Sequence, residues 1–114
     1  MNKYDQQKRL KVLAFRISAL ADTLPKNQLG RYFHYQLVRS GFSAAANYRA
    51  ACIAQSKASF VHKLSIAFEE SDENVFWLEC IKEASMINLS ELTPILNEAI
   101  ELTRILAAAR KSSQ

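Results

Sequence analysis

Arg31, Tyr35 and Arg39 stand four residues apart, and Phe42, Ala46 and Arg49 continue the row at helical spacing. At 100° per residue these six share one stripe of a helix. The stripe lies roughly opposite Phe33, Leu37, Ser40, Ala44, Asn47 and Ala51, which form an inner seam. A face of Arg, Tyr, Phe and Ala calls for something to meet it. Guanidinium groups contact phosphates and aromatic rings stack on unpaired bases, so one chemistry on offer is nucleic-acid binding. The other is a subunit interface, where Arg and aromatic residues are also enriched. The spacing fits both. Lys8, Lys11 and Arg16 add cations on a preceding segment, where an ordinary solvated helix face accounts for them without any ligand.

Catalytic and metal chemistry finds no such pattern. His34 and His62 are the only histidines. If the chain folds back near residue 56, they lie about 22 Å apart, too far to share a metal. The same argument separates Cys52 from Cys80, which read as reduced, buried, small apolar residues. Glu69/Glu73 and Glu79/Glu83 are i, i+4 carboxylate pairs, but di-iron bundles need Glu-x-x-His, and none occurs here. There is no glycine-rich phosphate loop, nucleophile elbow or zinc ligand set. The expectation is a non-enzyme with no metal, cofactor or small-molecule substrate.

The elements that would carry these residues are helices. Leu10, Leu13, Ile17, Leu20 and Leu24 repeat at 3-4-3-4 spacing, which predicts a helix over about 5–22 ended by Pro25. Asn27 is a suitable N-cap for a second helix over about 28–54, with Gly41 inside it permitting close approach. Asn47 falls among alanines on the seam and reads as a hydrogen-bonded register device between helices. Neither Gly nor Pro marks the next turn. Ser56 can cap a third helix over about 57–84, and one continuous helix through residue 84 is the alternative. Across Glu69–Asn74 the apolar spacing stays in phase, so this acidic run reads as helix with a solvated face. Phe76 falls nearly opposite the seam, among Glu69, Glu79 and Glu83, and is a candidate for a subunit contact. Thr93-Pro94 fits an N-cap followed by Pro at the first helical position, giving a fourth helix over about 91–111.

Length and composition agree. The 114 residues suit one domain over 1–114 with a real core, and 49% apolar content against 23% charged excludes disorder. Two glycines and two prolines leave few turns. No apolar run reaches transmembrane length and no signal-peptide core is present, so the expected location is cytoplasmic, without a membrane partner. Four amphipathic helices with short connections predict an all-α, antiparallel up-down bundle. Charge is unevenly shared. Residues 1–63 carry eleven Lys and Arg against Asp5 and Asp22, and residues 64–114 carry four against nine acids, so +9 faces −5. That puts a basic side against an acidic side, and head-to-tail contacts between copies would close a ring.

The segment from about 32 to 80 resembles a known family, the small four-helix-bundle proteins encoded by intervening sequences of bacterial large-subunit ribosomal RNA genes and by free-standing bacterial genes. The resemblance rests on Gln36-Leu37-Val38-Arg39-Ser40, on Ser43-Ala44-Ala45-Ala46-Asn47, on the run from Ser56 to Glu70, and on Phe76-Trp77-Leu78-Glu79. Where the family usually has Ala-Glu-Gly after that asparagine, this chain has Arg49-Ala50-Ala51. The resemblance implies a bundle assembling as a homo-oligomeric ring, commonly a pentamer. It also implies RNA binding, inferred in the family from gene context and basic surfaces. Distant relatives are accessory proteins of reverse transcriptases in diversity-generating retroelements. With a ring in view, Phe42 and Ala46 join Phe76 as interface candidates. Lys8, Lys11, Arg16, Arg31, Tyr35, Arg39 and Arg49 stand as candidates for nucleic acid. The alternative is a protein-interaction scaffold whose charge pattern mainly drives self-assembly.

Overall fold

Each helix starts where a side chain can satisfy its first amide groups. The computed structural model describes residues 2–114, in which four helices run over Lys3–Ala21 (α1), Gln28–Cys52 (α2), Lys57–Glu83 (α3) and Leu89–Ser113 (α4), with no strand. The Asn2 side chain accepts from the amides of Tyr4 and Asp5, and that of Asn27 accepts from Gly30. Ser56 caps α3 by accepting from Ser59, so the break before residue 57 is real. Asn88 caps α4 by accepting from Ser90.

The Asn88 cap corrects the expected start of α4. Helix begins at Leu89, before Thr93, and Pro94 lies inside it. A proline there forgoes one intrahelical bond to the Ser90 carbonyl. The cap at Asn88 sets the start regardless, because it satisfies amides that Thr93 is too late to reach. At its other end α3 closes with the Ser85 and Met86 amides donating back to the Lys82 and Ile81 carbonyls, and Ser85 takes a left-handed φ of 53°.

The four apolar seams meet along one axis. Leu10, Leu13, Ile17 and Leu20 of α1 join Phe33, Leu37, Ala44 and Ala51 of α2, Leu64, Ala67, Val75 and Leu78 of α3, and Leu92, Ile95, Leu96, Ala99, Leu102 and Leu106 of α4 in one buried core. α2 packs on α1 and α3, and α4 packs on α3 and α1. Along α2 and α3 the partner numbers fall as residue numbers rise: Tyr32 and Phe33 meet Trp77, Leu37 meets Asn74, and Arg39 meets Glu70 and Glu73. α3 and α4 do the same, with Ser71 on Thr103 and Phe68 beneath Arg110.

A buried polar layer crosses this core. Asn74, 3% exposed, donates to the Leu37 carbonyl at 3.0 Å and to Ser40 Oγ at 2.8 Å, and Ser71 bonds Thr103 at 2.6 Å. Asn74 therefore joins two helices in the way expected of Asn47. Asn47 is half-buried and donates to Ser43 within its own helix, at the carbonyl and at Oγ. The Asn47 expectation fails because the position sits at the flank of the seam, where its own preceding turn is the nearest acceptor. The cysteines are likewise half-buried rather than buried. Burial, with Glu83 and Glu79 nearby, pushes the Cys80 thiol up, which suits an unreactive residue.

The two glycines have opposite reasons to be there. A Cβ on Gly30 would stand 1.9 Å from the Pro25 carbonyl oxygen, so the turn into α2 needs a residue without one. A Cβ on Gly41 would meet Asn74 Nδ2 at 3.5 Å and Ala14 Cβ at 3.8 Å, ordinary contact distances. Gly41 is thus not required by the helix approach, and it borders a small void shared with Leu10, Ala14, Ile17 and Asn74. Gly30→Ala should lower stability by more than about 1 kcal/mol, because backbone must move. Gly41→Ala should raise it by about 0.5–1 kcal/mol through helix propensity and better filling. Urea unfolding of the two variants beside the parent checks both signs.

Candidate nucleic-acid interface

Once the seams face inward, position around each helix decides what every cation meets. Arg9 of α1 lies on the flank toward α4, where its Nε donates to Glu98 at 3.0 Å and its Nη2 reaches Glu98 at 2.6 Å and Glu101 at 2.7 Å. Arg39 lies on the α3 flank of α2 and is held by Glu70 at 2.9 Å and by Glu73, which also accepts from the Trp77 indole. These pairs join the basic half of the chain to the acidic half within one molecule. The carboxylates beside Arg9 and Arg39 raise both guanidinium pKa values further. Arg39, expected as a candidate for nucleic acid, is therefore engaged by carboxylates inside the protomer. Glu70 and Glu73 correspondingly face Arg39 and are not simply part of the solvated face expected of the acidic run.

The backs of α1 and α2 carry a different set. Tyr4, Gln7, Lys8, Lys11 and Phe15 of α1 face Phe42, Ala45, Ala46 and Arg49 of α2 across an open groove of about 640 Å³. No carboxylate lines it. The run of alanines makes the groove possible, since Ala44 fills the core while Ala45 and Ala46 leave room between the helices. Phe15 meets Phe42 edge-to-face with centroids 5.1 Å apart and closes one end. Tyr4 lies toward the other end, with Lys3 Nζ 5.4 Å from its ring centre.

Five of the expected residues thus come together: Lys8, Lys11, Phe42, Ala46 and Arg49. The rest disperse. Arg16 is exposed on the α4 flank of α1, near enough to Glu98 to help hold that carboxyl low. Arg31 stands at the α1–α2 turn and donates to the Lys26 carbonyl at 2.8 Å, beside Lys26 and His34. Tyr35 is 62% exposed on the back of α2 outside the groove lining. Phe76 is far off, on the outer face of α3 between exposed Asp72 and Glu79, with its ring against Trp77 at 5.0 Å.

Tyr4 and Phe15 were not among the expected site residues. Their signal is nevertheless in the sequence, because Tyr4, Lys8, Lys11 and Phe15 repeat at i, i+4, i+7 and i+11, opposite the leucine seam of α1. Nearby, burial pushes the Tyr48 hydroxyl up to about 12, with Cys52 as its neighbour. That group stays protonated and adds no charge to the surface. Among the described residues, no three His, Cys, Asp or Glu side chains gather where they could hold a metal ion, and no helix is long and apolar enough to cross a membrane.

The family model of the 23S rRNA-intervening sequence protein matches residues 2–108. The chain belongs to this family. A solved structure of a protein of unknown function from the S23 ribosomal protein family of Bacteroides thetaiotaomicron is 32% identical, with a TM-score of 0.86 over 97% of this chain and 99% of that one. No curated protein matches the chain. The match over nearly the whole length agrees with the resemblance read from residues 32–80, and it carries the four-helix fold well beyond them.

The ion pairs give two expected outcomes. Arg39→Ala leaves Glu70 and Glu73 facing each other partly buried, and should cost about 1–2 kcal/mol in chemical unfolding, between the exposed and buried limits. Lys8→Ala and Lys11→Ala, on the exposed groove rim, should stay within about 0.5 kcal/mol of the parent. The hydrogen bond from Arg9 holds the Glu98 carboxyl below the usual carboxylate range. A lowered folded-state pKa stabilises the fold above the unfolded value and loses that contribution as pH falls through the folded one. Glu98→Gln should therefore flatten the acid limb of a melting-temperature profile below about pH 4.3.

Proposed function

We propose that this protein is a non-enzymatic RNA-binding module of the cytoplasm, an antiparallel four-helix bundle that presents the α1–α2 groove from a homo-oligomeric ring. One observation carries the reading: Lys8, Lys11 and Arg49 share an open groove with Tyr4, Phe15 and Phe42 and with no carboxylate. Cations without acidic neighbours attract phosphates, and exposed rings beside them receive bases. Family membership supports RNA as the polyanion. Arg9 and Arg39 are engaged by carboxylates inside the protomer, whereas no carboxylate lines the groove that Lys8, Lys11 and Arg49 share.

A second reading is favoured by the outer face of α3. Glu69, Asp72, Phe76, Glu79 and Glu83 are all exposed at i, i+3, i+7, i+10 and i+14, a ridge of acids around one aromatic ring. Such a ridge complements the groove in charge, and a scaffold built by docking one copy's ridge in the next copy's groove would use both.

Affinity for ribosomal RNA fragments at about 50 and 200 mM salt tests the first reading. Three groove cations on a single strand predict about an 18-fold loss across that range. A flat, millimolar response removes it. Lys11→Glu and Arg49→Glu then separate the two readings in sedimentation velocity. Intact assemblies that no longer bind RNA favour the first, and dissociated assemblies favour the scaffold.

A further inference from the structure

The exposed rings and the width of the groove bear on which form of nucleic acid would fit it. Tyr4 is 69% exposed and Phe15 60%, an unusual outward display for aromatic rings on one helix face. Stacking on such rings requires bases free of a partner strand, whereas an A-form duplex offers shape, 2′-hydroxyls and phosphates but no unstacked base. Packed helices have axes about 8–10 Å apart, so the cleft between α1 and α2 admits one strand and not a double helix. Tyr4 and Phe15 are eleven residues apart, about 16 Å at 1.5 Å per residue. At about 3.4 Å per nucleotide along a strand, that span suits on the order of five nucleotides. Cations stand on both walls, Lys8 and Lys11 on one and Arg49 on the other, above the small floor of Ala45 and Ala46. Gln7 is the single amide in the lining, which leaves little means of reading base identity.

Resting on the RNA reading of this groove, we propose that it binds an unpaired RNA segment and discriminates against duplex, stacking bases on Tyr4 and Phe15 while Lys8, Lys11 and Arg49 meet the phosphates. The discrimination is by strandedness rather than by sequence. Phe15, braced edge-to-face by Phe42, is the fixed end of the platform.

The test is fluorescence anisotropy of the full chain with a labelled, unstructured ten-nucleotide RNA, alone and annealed to its complement, at about 50 mM salt. The single strand is expected to bind at least tenfold tighter than the duplex. Tyr4→Ala and Phe15→Ala should each weaken single-strand binding about fivefold to a hundredfold, the range that stacking on one ring carries. Phe15→Tyr, which keeps a ring, should restore it. Both alanine variants truncate exposed side chains, and unchanged circular-dichroism melts identify a loss of binding as local. Duplex bound as tightly as the single strand overturns the proposal and leaves the RNA reading standing. Alanine variants that bind like the parent, while Lys11→Glu abolishes binding, also overturn it and leave a purely electrostatic RNA site. Failure of both RNA forms to bind removes this proposal and the RNA reading together.

Discussion

Four apolar seams have to face one axis, and that single requirement sorts every other residue in the molecule. A side chain on the flank of a helix then meets the neighbouring helix, and one at the back meets solvent. Arg9 and Arg39 fall on flanks and are taken up by carboxylates of α4 and α3. Lys8, Lys11 and Arg49 fall at the back and remain around a groove. The uneven charge of the chain is therefore partly neutralised within the molecule, and three of the remaining cations gather at one groove while Arg16 and Arg31 stand apart from it. The free energy behind the sorting is burial of leucine and isoleucine. Ion pairs of this exposure add little by themselves and act mainly to align the halves.

Much of this was readable before any coordinates. The 3-4 spacing of leucines in α1, the Asn27 and Ser56 caps and the in-phase apolar positions through Glu69–Asn74 placed the first three helices closely. Local chemistry failed in two places for identifiable reasons. Thr93-Pro94 is a good cap, but Asn88 is a competing one five residues earlier, and propensity does not rank two sufficient signals. Asn47 and Asn74 are both asparagines near a seam, and only the partner helix decides which amide reaches across it. The pairing of Arg39 with Glu70 and Glu73 is hidden on the same ground, because a helical stripe gives an angle and not a neighbour.

The groove shows a similar limit from the other side. Its α2 wall is visible in the sequence as a stripe, and its cations Lys8 and Lys11 are candidates there for nucleic acid as well as for an ordinary solvated face. What joined them was the packing of α1 beside α2, which set Phe15 against Phe42 and Lys8 and Lys11 across from Ala46 and Arg49. Small residues in a helix are usually read as permission for close packing. Here Ala44 serves that role, while Ala45 and Ala46 keep a surface hollow that longer side chains would fill.

The amide of Asn74 has a reach beyond its own hydrogen bonds. By gripping a main-chain carbonyl and a hydroxyl on α2, it forbids α3 from sliding by a turn, since every other alignment strands a polar group in hydrocarbon. The acidic ridge and the cationic hollow ride on these two rods. Their vertical offset is consequently a constant of the molecule, and any array of copies that reads both surfaces takes its step height from one buried side chain.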